Sequence, residues 1–398
     1  MTDLELNATH YETREWAREF AQRFIVPRAL MLDKNPEAPE RDMLIREAAH
    51  AGILGLSLPE SVGGAGLDPI GTMVATEELA AACAGCAVLF GATSLGLSPI
   101  LASLDPALYD RFVKPIVDTW STDAPQLAAL AATEPDMGSD FIQGHPSSHP
   151  RSTVVKRDGH YVLNGTKVFI SNGSIASFVT VFASLDPSKP IREAMVCLAV
   201  PADTPGFSVG QVFDKMGQRA SPAAELVFDN VTVPEDHLIG PEGGAWELNR
   251  LIMVMSRPAV AAIALGIARA AYERALEYAE SRVQGGKQIV HHQAVQLMLA
   301  DMAIRVEAAR HLVIAAARSF MSGRPSLKLS SMAKTFAGDA AVANALDAIQ
   351  IMGGYGYMHE YGVEKLLRDA KLTQIYEGTN QINRFEIMEA VGVERSSA

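Results

Sequence analysis

The spacing of apolar residues changes twice along this chain, and those two changes constrain its architecture before any single residue is considered. From residue 11 to about residue 122, apolar side chains recur at helical spacing: Trp16, Phe20, Phe24 and Ile25 set the pattern, and residues 43–51 and 73–82 repeat it. From about residue 125 to residue 240 the texture becomes short β-branched and aromatic runs, such as Tyr161-Val162-Leu163, Val168-Phe169-Ile170 and Phe178-Val179-Thr180-Val181-Phe182. Asp158-Gly159 carries a hairpin signal, and Asn164-Gly165 and Asn172-Gly173 read as further turns. Helical spacing returns from Ala245, in segments near residues 246–282, 292–319, 327–352 and 381–391, broken at Gly285-Gly286 and Gly353-Gly354. The expected fold is α+β: an N-terminal α-helical domain over residues 1–123, a middle antiparallel β domain over residues 124–241, and a C-terminal four-helix bundle domain over residues 242–398. Nothing repeats as βαβ units, which argues against a Rossmann nucleotide site.

Composition narrows the function classes. With 398 residues, 48% hydrophobic and 20% charged, the chain can bury a large multi-domain core. The formal net charge is -12, and the basic residues are scattered, so neither nucleic acid nor an anionic membrane is an expected partner. Met1-Thr2-Asp3-Leu4-Glu5 lacks the basic start and apolar run of a secretion signal, and a cytoplasmic protein is expected. The most apolar stretch, residues 259–268, is followed by Arg269 and falls short of the roughly 20 residues needed to cross a bilayer, so no membrane span is expected.

Three cysteines, Cys83, Cys86 and Cys197, suit a reducing compartment. Cys83-Ala84-Gly85-Cys86 has the spacing of a redox or half-zinc motif, but it lies in an Ala-rich helical run without a second ligand pair, and buried small residues are expected there. His145-Pro146 and His149-Pro150 place two histidines four apart, yet the prolines exclude a regular helix face, so a loop is expected and no metal site. The Pro- and Gly-rich run from Leu58 to Asp68 reads as a loop.

Five segments specify chemistry: Leu130-Ala131-Ala132-Thr133-Glu134-Pro135-Asp136-Met137-Gly138-Ser139-Asp140; Asn164-Gly165-Thr166-Lys167-Val168-Phe169-Ile170-Ser171-Asn172-Gly173; Arg282 to Lys287 with Gln293; Gln350-Ile351-Met352-Gly353-Gly354-Tyr355-Gly356; and Arg368-Asp369-Ala370 leading to Ile375-Tyr376-Glu377-Gly378-Thr379-Asn380-Gln381-Ile382. In order and spacing they resemble the signature stretches of the acyl-CoA dehydrogenase family, over nearly the whole chain.

The resemblance implies an FAD-dependent enzyme that desaturates an acyl-CoA thioester to the trans-2-enoyl-CoA. Glu377 would abstract the α-proton and flavin N5 would take the β-hydride. The base needs a dry pocket, where burial disfavours the anion. Gly378 would let the backbone close in, so that the Glu377 N–H, together with a flavin ribityl hydroxyl, donates to the thioester oxygen. Tyr376 flanks the base. Some family members carry the base on the helix around residues 251–260; the matching position here is Ser256, which cannot serve.

For the flavin, the resemblance points to Leu130, Thr133, Ser139, Phe169, Ile170 and Ser171, with Thr133 and Ser171 bonding the isoalloxazine and Phe169 covering a ring face. Read without it, Phe169 is a strand core residue and Ser171 a turn former. Arg282, Gln293, Gln350, Gly353, Gly354, Thr379 and Gln381 match positions that hold pyrophosphate and adenosine, some across a subunit boundary; Arg grips phosphate bidentately and Gly permits close backbone contact. Ser139 and Arg257 fall where the thioester ligand approaches, although Arg257-Pro258 also reads as a surface helix N-terminus.

Departures accompany the likeness. Gly285 replaces an aromatic that packs near the dinucleotide, which would loosen FAD; Val254 replaces an acid, Phe169 a frequent tryptophan, and Asp136-Met137 a Gly-Ala pair. Together they suggest a branched, cyclic or aromatic acyl group in place of a straight chain. The family also implies a homodimer or homotetramer and an electron-transferring flavoprotein as acceptor. An acyl-CoA oxidase, a carrier-protein thioester dehydrogenase and a non-catalytic subunit of a hetero-oligomer are the alternatives on this fold.

Overall fold

The computed structural model describes residues 6–139, 141 and 149–392; the expected loop histidine His145 lies outside them. Three main helices build the first part: α1 (Ala8–Phe20), α2 (Glu40–His50) and α3 (Pro69–Ser103). α1 begins in a capping box, in which the Asn7 side chain accepts from the His10 N–H and His10 Nδ1 accepts from the Asn7 N–H. His10 then turns Nε2 to Asp68 at 2.9 Å, and Asp68 caps α3 by accepting from the Gly71 N–H at 2.7 Å. The Pro- and Gly-rich loop therefore ends as a helix cap.

The middle of the chain forms β1 (Ala128–Ala131), β2 (Thr153–Arg157), β3 (His160–Ser171), β4 (Phe178–Ser184), β5 (Met195–Pro201), β6 (Phe207–Val212), β7 (Ala223–Pro234) and β8 (Leu238–Ile239). They make one sheet in the order β6-β7-β3-β2-β4-β5-β8, with β1 beside β4. Most pairs are antiparallel, as the texture implies, but the sheet is mixed. β1 runs parallel to β4, and β2 meets β4 in parallel at Thr153–Ser184. Two reversals explain this: β3 inverts the direction of β2 and β4 inverts that of β3, so β4 returns in the direction of β2.

Asp158 and Gly159, at φ +49° and +78°, make the expected two-residue hairpin between Arg157 and His160. Asn164-Gly165 is a correction. It lies inside β3, where the register against β7 slips between Leu163 and Gly165, so the pair makes a bulge and no turn. A second slip follows between Lys167 and Ile170.

Alternation explains why β4 and β5 are apolar throughout. Phe178 and Phe182, with Met195, Cys197 and Ala199, face the helices, while Val179, Val181, Val196, Leu198 and Val200 face a second core within the sheet.

The last part contains α4 (Ala245–Ser281), the short hairpin β9 (Val283–Gln284) and β10 (Lys287–Gln288), α5 (Gln293–Met321), α6 (Leu327–Met352), α7 (Val363–Thr373) and α8 (Asn380–Ala390). α7 is a short helix in which five of the eleven residues are charged, and the sequence periodicity does not mark it. α4 packs on α5 and α6, and also on α3, where Gly266 brings the helices together: a Cβ there would stand 2.6 Å from the Glu77 carbonyl oxygen.

α3 and α4 are long and apolar enough to cross a membrane, well beyond residues 259–268, yet 72% of each apolar window is buried inside the protein. Their apolarity is used in packing. Between them Glu77 and Glu78 are buried side by side and are met by arginines from three other elements. Arg269 bonds both at 2.9 Å, Arg310 reaches Glu77 at 2.8 Å, and Arg18 reaches Glu78 at 3.1 Å.

One more buried pair positions the sheet. Lys167 on β3 reaches Glu134 at 2.8 Å with both side chains fully enclosed, and the Ala132 carbonyl accepts a second Lys167 bond at 2.9 Å. Glu134 also accepts from the backbone N–H groups of Arg151 and Ser152. Lys167→Met should therefore lower unfolding free energy by about 3–5 kcal/mol, because it strands a buried carboxylate. Adding Glu134→Gln should recover much of that loss in denaturant unfolding.

Candidate active site

After α7 the chain turns through residues 374–379 into α8. The N–H groups of Ile375 and Tyr376 both bond the Leu372 carbonyl, and the Asn380 N–H bonds that of Gln374. Glu377 and Gly378 are consecutive left-handed residues, at φ +55° and +83°. Glycine takes this conformation freely, but glutamate does so only under compulsion.

The compulsion comes from two enclosed cations. Arg257 Nε donates to the Glu377 carbonyl at 3.2 Å, and Lys334 Nζ donates to the Gly378 carbonyl at 2.6 Å and to Asn380 Oδ1 at 2.9 Å. Asn383 Nδ2 adds a bond to the Gly378 carbonyl at 2.9 Å. Arg257 is itself held by Glu386 at 2.5 Å and Ser331 at 3.0 Å.

The side chain of Glu377 is held as well: its Oε2 accepts from Ser256 Oγ at 2.7 Å. Part of the residue surface stays open to solvent, but protein atoms crowd the carboxylate. Burial raises its pKa above the ordinary carboxylate value, against the opposing pull of the Ser256 bond and of Arg257 and Lys334. Among the described residues, the backbone N–H of Glu377 has no acceptor. The turn thus presents a basic carboxylate and a free donor from one residue.

Tyr376 anchors the turn to the sheet. Its hydroxyl accepts from Gln218 Nε2 at 3.4 Å, and burial raises its pKa. The Gln218 N–H bonds Asp369 at 2.5 Å, and Asp369 pairs with Lys365 at 2.5 Å, whose Nζ lies 3.4 Å from Cys83 Sγ. Cys83 and Cys86 are buried, as expected, and α3 is kinked at Cys83.

The other expected residues fall into two groups that the structure keeps apart. On the sheet, the Val168 N–H bonds the Thr133 carbonyl at 2.9 Å, which sets the half-buried Thr133 beside the end of β3. Phe169, at φ +61°, is 63% exposed with its ring 4.9 Å from that of Phe213, so it is no strand core residue. Ile170 is buried and Ser171 half-buried, and Asn172 bonds the Leu89 carbonyl of α3 at 2.8 Å. Leu130, in β1, and Ser139 are half-buried.

The second group lines an open groove of about 740 Å³ at the ends of α4 and α6, containing Arg282, Gln350, Gly353 and Gly354 with Tyr278, Tyr355 and Met358. Arg282 lies over the Tyr355 ring, 5.5 Å from its centre. A Cβ at Gly353 or Gly354 would meet nothing within 4 Å, so this wall is open to a ligand. Gln293 starts α5 beside the groove but does not line it, whereas Thr379 and Gln381 start α8 next to Glu377.

Arg257 departs from the reading of a surface helix start. It is fully enclosed in the middle of α4, not at a surface helix start, and it bonds Glu377, Ser331 and Glu386. Ser256, which cannot itself be a base, proves to be the hydrogen-bond donor to the Glu377 carboxylate. Lys334 was not singled out at all; the available signal was a lone lysine among Ser330, Ser331, Ala333, Ala337 and Gly338 on the apolar side of a helix.

Helical, sheet and helical parts follow one another along the chain, with a held carboxylate in the last of them, and comparison with known proteins gives the family this combination belongs to. The chain matches the N-terminal, middle and C-terminal domains of acyl-CoA dehydrogenase over residues 7–119, 129–231 and 246–392. It is 44% identical to an acyl-CoA dehydrogenase of Bacillus subtilis (strain 168), covering 94% of this chain and 95% of that one. It is 40% identical to a cyclohex-1-ene-1-carbonyl-CoA dehydrogenase of Geobacter metallireducens, with the same coverage. The structure of butyryl-CoA dehydrogenase from Megasphaera elsdenii superposes with a TM-score of 0.90 at 36% identity, covering 97% of this chain and 98% of that one.

The chain belongs to the acyl-CoA dehydrogenase family. It is an oxidoreductase acting on CH–CH groups, and its cofactor is FAD. The residues present fit that cofactor: an exposed aromatic face beside two half-buried hydroxyls suits a planar ring with polar edges, and an arginine facing two open glycines suits a diphosphate.

The raised pKa of Glu377 has a stability consequence. Stability tied to a raised folded pKa is present in full below the unfolded value and is lost as pH rises through the folded one. Glu377→Gln should therefore unfold at a higher temperature than the wild type at pH 8, with the gap closing as pH falls towards 5. Thermal unfolding across that window checks it.

Proposed function

We propose that Glu377 removes the α-proton of an acyl-CoA thioester while the β-hydride leaves to the flavin, yielding the trans-2-enoyl-CoA. The observation that carries this reading is the crowded Glu377 carboxylate, made more basic by burial and held by Ser256. Bound FAD supplies the two-electron acceptor, at N5. The chain supplies the rest. The free Glu377 N–H donates to the thioester oxygen as negative charge gathers there, and Gly378, without a side chain, lets the thioester approach. Tyr376 and Ser139 complete the substrate side. Thr133 and Ser171 would hold the edge of the flavin ring, with Leu130 and Ile170 shaping its seat and Phe169 offering an exposed aromatic face.

The groove of Arg282, Gln350, Gly353 and Gly354 would hold a diphosphate and adenosine, with Gln293, Thr379 and Gln381 contributing. Because Thr133, Phe169, Ser171 and Glu377 do not line that groove, the two ends of one dinucleotide are best served by a dimer or tetramer in which a second copy lends its groove. Electrons would pass to an electron-transferring flavoprotein.

For the acyl group we favour a branched or cyclic moiety. The Geobacter relative is named for a ring-bearing substrate. α3 also opens near the site: Leu89 bonds the turn after Ser171, and Gly91 is exposed with nothing within 4 Å of a Cβ position. Titrating purified protein anaerobically with straight, branched and cyclic acyl-CoAs tests the whole reading through loss of flavin absorbance. Faster bleaching by straight chains would overturn the acyl assignment, and oxygen uptake outrunning reduction of an electron-transferring flavoprotein would overturn the acceptor. Glu377→Gln should slow bleaching by about 10²–10⁴-fold, the usual weight of a general base, while FAD stays bound. Undiminished bleaching would remove Glu377 from the chemistry.

A further inference from the structure

We propose that Lys334 is a positioning residue for this chemistry: its enclosed ammonium group fixes the Gly378 carbonyl, and thereby aims both the carboxylate and the backbone N–H of Glu377. The inference rests on Glu377 being the base.

Lys334 is fully enclosed by α6, the Glu377 turn and α8, a place where a hydrocarbon side chain would pack without a desolvation cost. Its acceptors are neutral, the Gly378 carbonyl at 2.6 Å and Asn380 Oδ1 at 2.9 Å. No ion pair supports it among the described residues. A cation placed in this way is poorly explained by fold stability alone, but well explained by what it holds.

The two peptide groups that follow Glu377 are each gripped by a different cation, the first by Arg257 and the second by Lys334. The Glu377 N–H belongs to the preceding peptide, but with both residues of the turn left-handed, fixing the planes that follow restricts the Glu377 torsions and with them the direction of its N–H and the position of its Cβ. Ser256 then sets the remaining side-chain torsion.

The charges around Lys334 come from the turn, α4, α6 and α8: Glu377, Arg257, Asp339 and Arg384. Arg257 is matched by Glu386 at 2.5 Å, and Asp339 by Arg384 at 2.6 Å. Tyr376, next to the base, is shifted towards its neutral form by burial. Lys334 and Arg257 both act on Glu377, so removing the ammonium charge changes the field at that carboxylate. Burial lowers the Lys334 pKa to about 7, with Arg257 adding to the effect, so the group is poised to respond to Glu377.

The test uses FAD-loaded enzyme and a 3-thia-acyl-CoA, in which sulfur replaces the β-carbon, so the ligand can lose an α-proton but has no β-hydride to give. Deuterium uptake from solvent at the α-carbon, followed by mass spectrometry against pH, isolates the proton transfer. Lys334→Met should slow exchange at saturating ligand by about tenfold or more, with half-saturation changed less than about threefold, as for a group acting on the transition state and not on binding. Its acidic limb should move to higher pH, because removing a cation makes Glu377 easier to protonate. Lys334→Gln, which keeps a donor for Gly378 but no charge, should recover part of the rate and keep the displaced limb.

Wild-type exchange with an unmoved limb in Lys334→Met would overturn the proposal. So would a loss that merely tracks lower FAD content and unfolding temperature. If Lys334→Met does not fold, Lys334→Gln decides: a displaced limb supports the assignment and an unmoved one removes it. Glu377→Gln separates the two readings. Continued exchange there defeats the base assignment itself, whereas silence there beside unchanged Lys334 variants defeats only the role of Lys334.

Discussion

Everything at the junction depends on α3 being pressed against α4 with two acids between them. Glu77 and Glu78 cannot be left uncompensated where they lie, and the arginines that meet them come from α1, α4 and α5. The same charges therefore bind the first helices to the last ones, and Gly266 removes the side chain that would hold the two backbones apart. With α3 fixed, its middle becomes a wall shared by all three parts of the chain. Leu89 receives the Asn172 side chain from the sheet, a Cβ at Gly85 would touch the backbone beside Gln218, and Cys83 touches Lys365 from α7. The turn that carries Glu377 joins this wall through Tyr376, whose hydroxyl bonds Gln218, although more than 150 residues separate the two in sequence.

The site sets two demands against each other. A carboxylate that abstracts a weakly acidic proton must be more basic than usual, and burial supplies that; yet the strained turn that carries it must be held, and the holders are cations, which reduce its basicity. The structure settles this by commitment. Arg257 grips the Glu377 carbonyl while paired with Glu386, and Ser256 orients the carboxylate without adding charge, although both still pull its pKa down. Burial wins, and the net shift is upward. Strain of this kind persists only where several neighbours oppose relaxation, and here Arg257, Lys334, Asn383 and Ser256 all do.

Much of this architecture is legible in the sequence, because period and turn chemistry are local. Asp158-Gly159 makes its hairpin for the reason any such pair does, and the unbroken apolar runs of β4 and β5 mark strands buried on both faces. Asn164-Gly165 is misread because the same two residues serve a turn or a bulge, and only the partner strand decides between them. Glu377 can be found from its neighbours in sequence. Its supports cannot, since Ser256, Arg257, Lys334 and Glu386 come from α4, α6 and α8 and meet only in three dimensions. Arg257 shows the limit well: Pro258 next to it suggests a helix start, but the helix runs through both, and the arginine is enclosed by packing that no local pattern reports.

Gly285 shows how a departure from a family pattern can have a local cause. β9 and β10 pair across Gly285 and Gly286, whose φ angles of +60° and +81° suit a tight two-residue reversal. A side chain at Gly285 would bring strain, and its Cβ would stand 3.2 Å from the His292 ring. The aromatic surface missing there is present close by, because Tyr278 and Tyr355 line the same groove and Arg282 lies over the Tyr355 ring. The arginine is therefore held by a neighbouring ring, with its charge directed along a wall that Gly353 and Gly354 leave open. With glycine in this hairpin, the groove still has an aromatic stacking surface and a cation beside it.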